Sequence, residues 1–233
     1  MQGRRGYIGT GEFGGAVGRM LAGPGTDLSA VAASPADPGE IAARFSAAAV
    51  DVMVAVLWRP SPRLCELIED AAGLAGVAWL PAVLCFPYIN VGPLIRPGQA
   101  PCFRCLTRRQ AQHSAPELPE ESLLAAYDAD PECGPAGHLD CHARVTAGLI
   151  GWLLRDLTLR PGNTSACNTG ICNTGTCNTG LGNLVRFQMV NRSISTFAVW
   201  PWHDCASCGA RPLPDPAFRL RAALARLPSG ETA

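Results

Sequence analysis

The chain has 233 residues, 48% of them hydrophobic and 16% charged, which is enough apolar material for a core and too little charge for a disordered chain. Nineteen basic residues balance nineteen acidic ones, so no general attraction to nucleic acid or to an anionic membrane surface is expected. All the basic residues are arginine, which excludes mechanisms that need a lysine, such as a Walker-type phosphate lysine or a Schiff base.

The first part of the chain predicts strands that alternate with helices, a pattern typical of a mostly parallel sheet covered on both faces. The predicted elements are a strand, glycine-rich turn and helix over Tyr7–Leu21, a strand at Leu28–Ala33, a buried strand at Asp51–Trp58, a helix from Ser61 to about Ala72, and a strand at Val77–Phe86. Ser61 and Pro62 begin their helix as N-cap and first helical residue.

The pattern changes after Phe86. The predicted elements are a strand at Tyr88–Arg96, a helix over Cys102–His113, a surface lid or disordered excursion over Ser114–Gly137, a long helix at Leu139–Leu157, hairpin strands at Leu184–Val190 and Ser193–Trp200, and a last helix at about Asp215–Leu227. Neither a signal peptide nor a window of ~18 apolar residues is visible. We therefore expect a cytoplasmic protein whose eleven cysteines, an odd number, are reduced.

An internal repeat of four pentapeptides, NTSAC, NTGIC, NTGTC and NTGLG, occupies Asn163–Gly182. It spaces Cys167, Cys172 and Cys177 five residues apart, which suits a thiolate metal site or one coil of a pentapeptide solenoid. Four units are few for a solenoid, and a polar connection can be lengthened at little cost in loop entropy. We expect a loop without a ligand.

A glycine-rich turn, Gly9-Thr10-Gly11-Glu12-Phe13-Gly14, follows the first strand and precedes the first helix. In that context Gly9, Gly11 and Gly14 let the backbone approach a pyrophosphate at a helix N-terminus. The acidic residue expected ~20 positions later to hold a ribose is not in place. A vestigial nucleotide site and a turn kept for tight strand–helix packing both remain open.

Two C-x-x-C pairs give the strongest signal: Cys102 with Cys105, and Cys205 with Cys208. Together they offer four thiolates, the ligand set of a tetrahedral structural zinc site. A redox C-x-x-C needs one reactive pair rather than two. The sequence therefore predicts a structural zinc that clamps two distant segments, with free thiols as the alternative.

A second group of potential ligands or nucleophiles contains Cys133, His138, Cys141 and His142. These residues straddle a predicted helix start, where neighbours point in different directions, so we expect no site there. The remaining candidates are assigned to the core (Cys65 and Cys85) or to the surface (His113 and His203).

The run from Val91 to Leu106, VGPLIRPGQAPCFRCL, together with His203–Cys208, HDCASC, resembles the signature of the ThiF-like proteins of ribosomal-peptide natural-product clusters. These proteins are related to ubiquitin-activating and thiamine-biosynthesis adenylating enzymes, and the resemblance covers residues 6–210. It implies a Rossmann-like α/β fold with a C-terminal β-hairpin clamped by four cysteines that bind zinc. We expect one domain over 1–233, with a dinucleotide-fold half (6–86), a zinc-clamped half (87–210) with variable loops at 114–137 and 163–182, and a tail helix in 211–233.

The resemblance also implies work beside a YcaO-type cyclodehydratase, which turns Cys, Ser or Thr of a precursor peptide into azolines. The resemblance further implies that the ThiF-like protein binds the leader segment of the precursor peptide and presents its core segment to the cyclodehydratase. Family members carry an N-terminal winged-helix recognition domain that is not seen here, so a separate leader-recognition protein is a further candidate partner, as is a second copy of the chain. Nucleic acid and membranes are not expected as partners.

Three functions follow for testing. The first is a non-catalytic scaffold in azole-peptide biosynthesis, with zinc and without ATP. The second is an ATP-dependent enzyme that adenylates a peptide, and the third is a nicotinamide- or flavin-dependent oxidoreductase. The absence of lysine, and of the acidic pair that adenylating relatives use, favours the first over the second.

Overall fold

The structure is a computed structural model that describes residues 4–22, 28–30, 38–112, 120–130, 133–134, 137–159 and 182–209. The repeat at 163–181 and the predicted helix at 215–227 lie outside the described residues. None of the described helices is both long and apolar enough to cross a membrane.

Seven strands and six helices are described. In chain order they are β1 (Arg5–Gly9), α1 (Gly11–Leu21), β2 (Leu28–Ala30), α2 (Pro38–Ala48), β3 (Val52–Leu57), α3 (Pro62–Ala75), β4 (Ala78–Cys85), β5 (Tyr88–Val91), α4 (Phe103–Ala111), α5 (Glu120–Ala129), α6 (Asp140–Leu159), β6 (Asn183–Gln188) and β7 (Ser193–Ala198).

All seven strands form one sheet in the order β2-β1-β3-β4-β5-β6-β7. The pairs among β2, β1, β3 and β4 are parallel, whereas β4–β5, β5–β6 and β6–β7 are antiparallel. The prediction of a mostly parallel sheet is therefore wrong for the second half, and the sheet is mixed. Only two residues separate β4 from β5, and a connection that short allows an antiparallel return but no parallel crossover.

Helices cover both faces of the sheet. On one face α1 and α6 pack against β1, β3, β4, β5 and β6, with Phe13, Val17 and Ile150 fully buried. On the other face α2, α3 and α4 enclose a second core that contains Phe45, Ile68 and the fully buried Trp79. The central strand β3 lies between the two cores, so its run Met53–Leu57 is apolar at every position rather than alternating.

The segment predicted as a lid or disordered excursion instead contains helix α5, which packs beside α3. Asp128 of α5 accepts a hydrogen bond from the backbone N–H of Arg63, at 3.1 Å, and so satisfies a donor in the first turn of α3. Ser61 holds the N-cap position but donates its hydroxyl to the Tyr127 carbonyl instead. A long-range contact thus replaces the local cap that the sequence predicts.

The glycine-rich turn has a packing requirement. A Cβ at Gly14 would lie 2.9 Å from the backbone of Gly9 and 3.1 Å from the Val56 carbonyl oxygen, so the start of α1 rests directly on β1 and β3. Gly11 has a φ of 62°, and a Cβ there would lie 2.9 Å from the ring of Trp58. These contacts give Gly11 and Gly14 a packing role, and a Cβ at Gly9 would likewise lie 2.7 Å from the ring of Tyr7.

We expect Gly14→Ala to lower the free energy of unfolding by about 1–3 kcal/mol, because its methyl group would meet backbone that has no room to move. Gly15→Ala is the matched control. Its Cβ would meet only the far end of the Arg19 side chain, at 3.5 Å, and alanine favours the helix by up to about 1 kcal/mol. Urea unfolding of both variants measures the difference, and equal stability would contradict the packing account.

Candidate metal centre

The two C-x-x-C pairs meet in one cluster although Cys105 and Cys205 stand 100 positions apart in the chain. The sulfur atoms of Cys102, Cys105, Cys205 and Cys208 all lie within 4.8 Å of one another. The measured separations are 3.6 Å for Cys102–Cys105, 3.5 Å for Cys102–Cys205 and 3.7 Å for Cys105–Cys208. The prediction that these four thiols come together is confirmed.

These distances match a tetrahedral metal site. A Zn–S bond of about 2.3 Å places the four sulfur atoms of a tetrahedron about 3.8 Å from one another. A disulfide requires about 2.05 Å, so the cysteines of the cluster are free thiols in this arrangement. The spacing is compatible with a structural metal and does not identify the element.

Local backbone structure orients the two sulfur atoms of each pair toward the centre of the cluster. Cys102 is the N-cap residue of α4 and Cys105 lies in its first turn, which puts both sulfur atoms on one side of the helix start. The other pair lies in a turn that is closed by a hydrogen bond from the Gly209 N–H to the Cys205 carbonyl. Gly209 adopts a φ of 58°, which glycine tolerates best.

The electrostatic surroundings shift the pKa values of Cys102 and Cys205 in opposite directions. Burial and the nearby Glu69 carboxylate raise the pKa of Cys102 well above its ordinary value. Burial also acts to raise the pKa of Cys205, but the backbone N–H groups of Cys208 and Ser207 and the neighbouring thiols outweigh it, and the pKa falls to about 7. Cys205 therefore reaches the thiolate form, the one that binds metal, more readily than an ordinary cysteine.

A buried carboxylate supports the cluster from α3. Glu69 is only 7% exposed and accepts a hydrogen bond of 2.6 Å from the Phe103 N–H at the start of α4. Its other oxygen accepts from Arg104, at 3.0 Å, and Arg104 also forms a two-point contact with Asp70 and donates to Ser207. Burial raises the pKa of Glu69, while the Phe103 N–H and Arg104 act against that shift. The network joins α3, α4 and the turn that carries Cys205 and Cys208.

Sequence reasoning did not find Glu69 or Arg104. A signal was present, since Glu69 stands four residues after Cys65 and three before Ala72 on α3, and both of these are fully buried. An acidic residue on the apolar side of a helix is rarely left without a partner. Its partners lie more than 30 residues later, so the pattern within α3 did not reveal them.

The carboxyl ends of β1 and β3, next to the glycine turn, are covered by aromatic side chains. The ring of Trp58 is nearly fully buried against Gly11, and the backbone N–H of Trp58 donates to the Thr10 hydroxyl at 3.0 Å. Arg59 stacks on Trp58 with its guanidinium 4.5 Å from the ring centre. His138 meets the rings of Phe13 and Trp58 edge-on. A nucleotide site at Gly9, Gly11 and Gly14 stays a prediction.

The second ligand group does not assemble. The four cysteines are the only cluster of metal-ligating side chains among the described residues. Cys141 is exposed, and the Nδ1 atom of His142 accepts a hydrogen bond from the Leu139 N–H. Burial and the neighbouring His138 lower the pKa of His142. Cys65 is a core residue as expected, whereas Cys85 is only half-buried.

Neither a protein-family model nor a curated protein matches this sequence. Three solved structures are similar in fold. The heterocyclase TruD superposes with a TM-score of 0.57 at 16% identity, over 89% of this chain and 28% of that one. The E. coli microcin synthetase McbBCD complex superposes with a TM-score of 0.58 at 13% identity, over 87% of this chain and 67% of that one. E. coli MccB superposes with a TM-score of 0.59 at 13% identity, over 91% of this chain and 66% of that one.

The chain therefore shares its fold with parts of a heterocyclase, of a microcin synthetase complex and of MccB. It spans about a quarter of the length of the heterocyclase, and at these identities the likeness concerns the fold alone.

We expect Glu69→Ala to lower the free energy of unfolding by about 1–3 kcal/mol and to speed metal loss to a chelator, because it leaves the Phe103 N–H and Arg104 without their buried acceptor. Glu66→Ala is the control on the same helix. Its carboxylate lies 3.9 Å from Arg104 and is about half exposed, so the change should stay within about 0.5 kcal/mol. Equal effects of the two substitutions would show that the network does not support the cluster.

Proposed function

We propose that this protein is a ThiF-like accessory component of ribosomal-peptide biosynthesis that binds a precursor peptide and presents it to a YcaO-type cyclodehydratase. The fold likeness to the heterocyclase TruD and to the McbBCD complex carries the proposal, together with the assembled four-cysteine cluster. The resemblance around Val91–Leu106 and His203–Cys208 leads to the same role independently of the fold.

The metal in this proposal is a structural zinc held by Cys102, Cys105, Cys205 and Cys208. Four thiolates leave no open position for substrate, so the ion acts on the fold rather than on chemistry. It fixes the segment that follows β7 against the start of α4. Free energies of structural zinc binding are on the order of 10 kcal/mol, enough to decide whether that segment is attached.

We expect about one zinc per chain in the purified protein, and loss of both the zinc and the stability of the fold in the double variant Cys205→Ser, Cys208→Ser. Cys141→Ser removes an exposed thiol outside the cluster and should change neither quantity. Metal analysis and thermal unfolding give the two readouts. Full zinc retention in the double variant would overturn the assignment.

A scaffold role fits the glycine turn better than adenylation. Stabilising a phosphate transition state needs positive groups directed at the developing charge. The turn instead carries the acidic Glu12, the sequence holds no lysine, and Trp58 packs on Gly11 where a ligand would approach. Arg59 is the residue that favours the adenylating alternative, since it follows β3 at the carboxyl edge of the sheet, where open parallel sheets bind ligands.

The experiment combines the purified protein, a candidate precursor peptide rich in Cys, Ser or Thr, and a YcaO-type cyclodehydratase. We expect the protein to bind the precursor and to raise azoline formation by the cyclodehydratase, as followed by the loss of water in mass spectra. We expect no ATP–pyrophosphate exchange by the protein alone. Exchange that disappears in Arg59→Ala would make the chain an adenylating enzyme, and azoline formation unchanged by the protein would contradict the scaffold role.

A further inference from the structure

The last strand of the sheet, β7, is open along one side. It pairs with β6 through Ser193–Ala198 and is the end of the strand order, so its other edge faces no described strand. All six residues of β7 are exposed. Backbone N–H and C=O groups along such an edge are available to an added strand.

The edge also lacks the sequence features that prevent another strand from pairing with it. Proteins protect open edges with charged residues, prolines or bulges. The sequence of β7, SISTFA, contains neither a charge nor a proline, and its pairing with β6 is continuous over six residues. Ile194 and Phe197 are 56% and 45% exposed on opposite faces of the strand, so an added strand would bury apolar surface on both sides.

The chain segments that carry and adjoin this edge contain positive charges and no carboxylates. Residues 86–112 and 182–202 contain no Asp or Glu and six arginines. Among the described residues, only Arg104 of these six has a carboxylate partner, and that partner network belongs to the cysteine cluster. The five others are Arg96, Arg108, Arg109, Arg186 and Arg192.

Two of these arginines are held beside β7. Arg186 of β6 lies between two rings, with its guanidinium 4.7 Å from the centre of Tyr88 and 5.3 Å from that of Phe197. Ser195 is its partner across the β6–β7 pair and shares its face of the sheet. Arg109 reaches the end of the same strand, where it donates to the carbonyls of Trp200 and Pro201. Both charges are thus positioned by neutral groups and lack a described counter-charge.

We propose that the open edge of β7 binds an extended acidic peptide segment as an eighth strand. The backbone of the segment would pair with β7, every second side chain would lie on the face of Phe197, and carboxylates on that face would meet Arg186. The inference rests on the proposed function in one respect: it assigns the segment to the precursor peptide and predicts that this part of the precursor carries Asp or Glu.

Charge decides between this occupant and a second copy of the chain. Two copies joined through β7 would bring the same arginines together and no carboxylate, because 182–202 contains none. An acidic strand offsets the charge that the edge already holds.

The test uses fluorescein-labelled 12-residue peptides in which Val or Thr alternates with Glu. One control replaces every Glu by Gln, and another keeps Glu but carries N-methyl groups on alternate backbone nitrogens. Fluorescence anisotropy with the purified protein should show binding of the Glu peptide that weakens with salt. Each control should weaken it about tenfold or more. Equal affinity for all three peptides would overturn the proposal.

Variants of the protein locate the site. Ser195→Glu places a carboxylate across from Arg186 and should weaken binding of the Glu peptide about fivefold or more. Ser195→Gln, of the same size and without charge, should bind as the wild type does. Arg186→Gln should also weaken binding, whereas Arg63→Gln on α3 should not. Unchanged affinity in both Ser195→Glu and Arg186→Gln would exclude this edge.

Two further measurements separate this inference from the proposed function. Precursor binding that both edge variants leave intact would refute the β7 site while leaving the scaffold role in place. Failure to bind the precursor, combined with edge-dependent binding of the synthetic Glu peptide, would refute the scaffold role alone. A dimer in sedimentation analysis whose dissociation constant changes in Ser195→Glu or Arg186→Gln, without any peptide binding, would assign the edge to a second copy.

Discussion

The four-thiol cluster is the constraint on which the second half of the structure depends. It joins the start of α4 to the segment after β7, and these regions are about a hundred residues apart in sequence. Four thiolates within 4.8 Å would repel one another, so the proposed zinc would stabilise the cluster by offsetting their charge. Glu69 and Arg104 then fix the geometry from α3, since they bond to residues beside both cysteine pairs.

The sheet divides the molecule into two halves with different exposure. The strands β3 and β4 are covered on both faces, and their side chains are apolar. The antiparallel strands β5 and β6 still pack against the core under α1 and α6, whereas every residue of β7 is exposed and its outer edge faces no other described strand. The half that carries the cysteine cluster is therefore also the half that offers backbone hydrogen bonds to a partner.

The glycine turn has a packing role whether or not it also meets a nucleotide. Gly14 permits the close contact of α1 with β1, and the absence of a side chain at Gly11 leaves room for the ring of Trp58. The carboxyl edge of the sheet, where such folds place ligands, is occupied by Trp58, Arg59 and His138.

The sequence by itself determined the alternating elements, the hairpin and the two C-x-x-C pairs, because apolar periodicity, turn residues and ligand spacing are local properties of the chain. It predicted that Cys102 and Cys205 meet, since four thiolates suit one tetrahedral ion. The tertiary structure was needed for the antiparallel pairing of β5 with β4 and with β6, the capping of α3 by Asp128, and the burial of Glu69 beside Phe103. Each of these depends on residues more than 30 positions apart or on strand pairing, which no local pattern records, because their energy is gained only when distant segments are brought together.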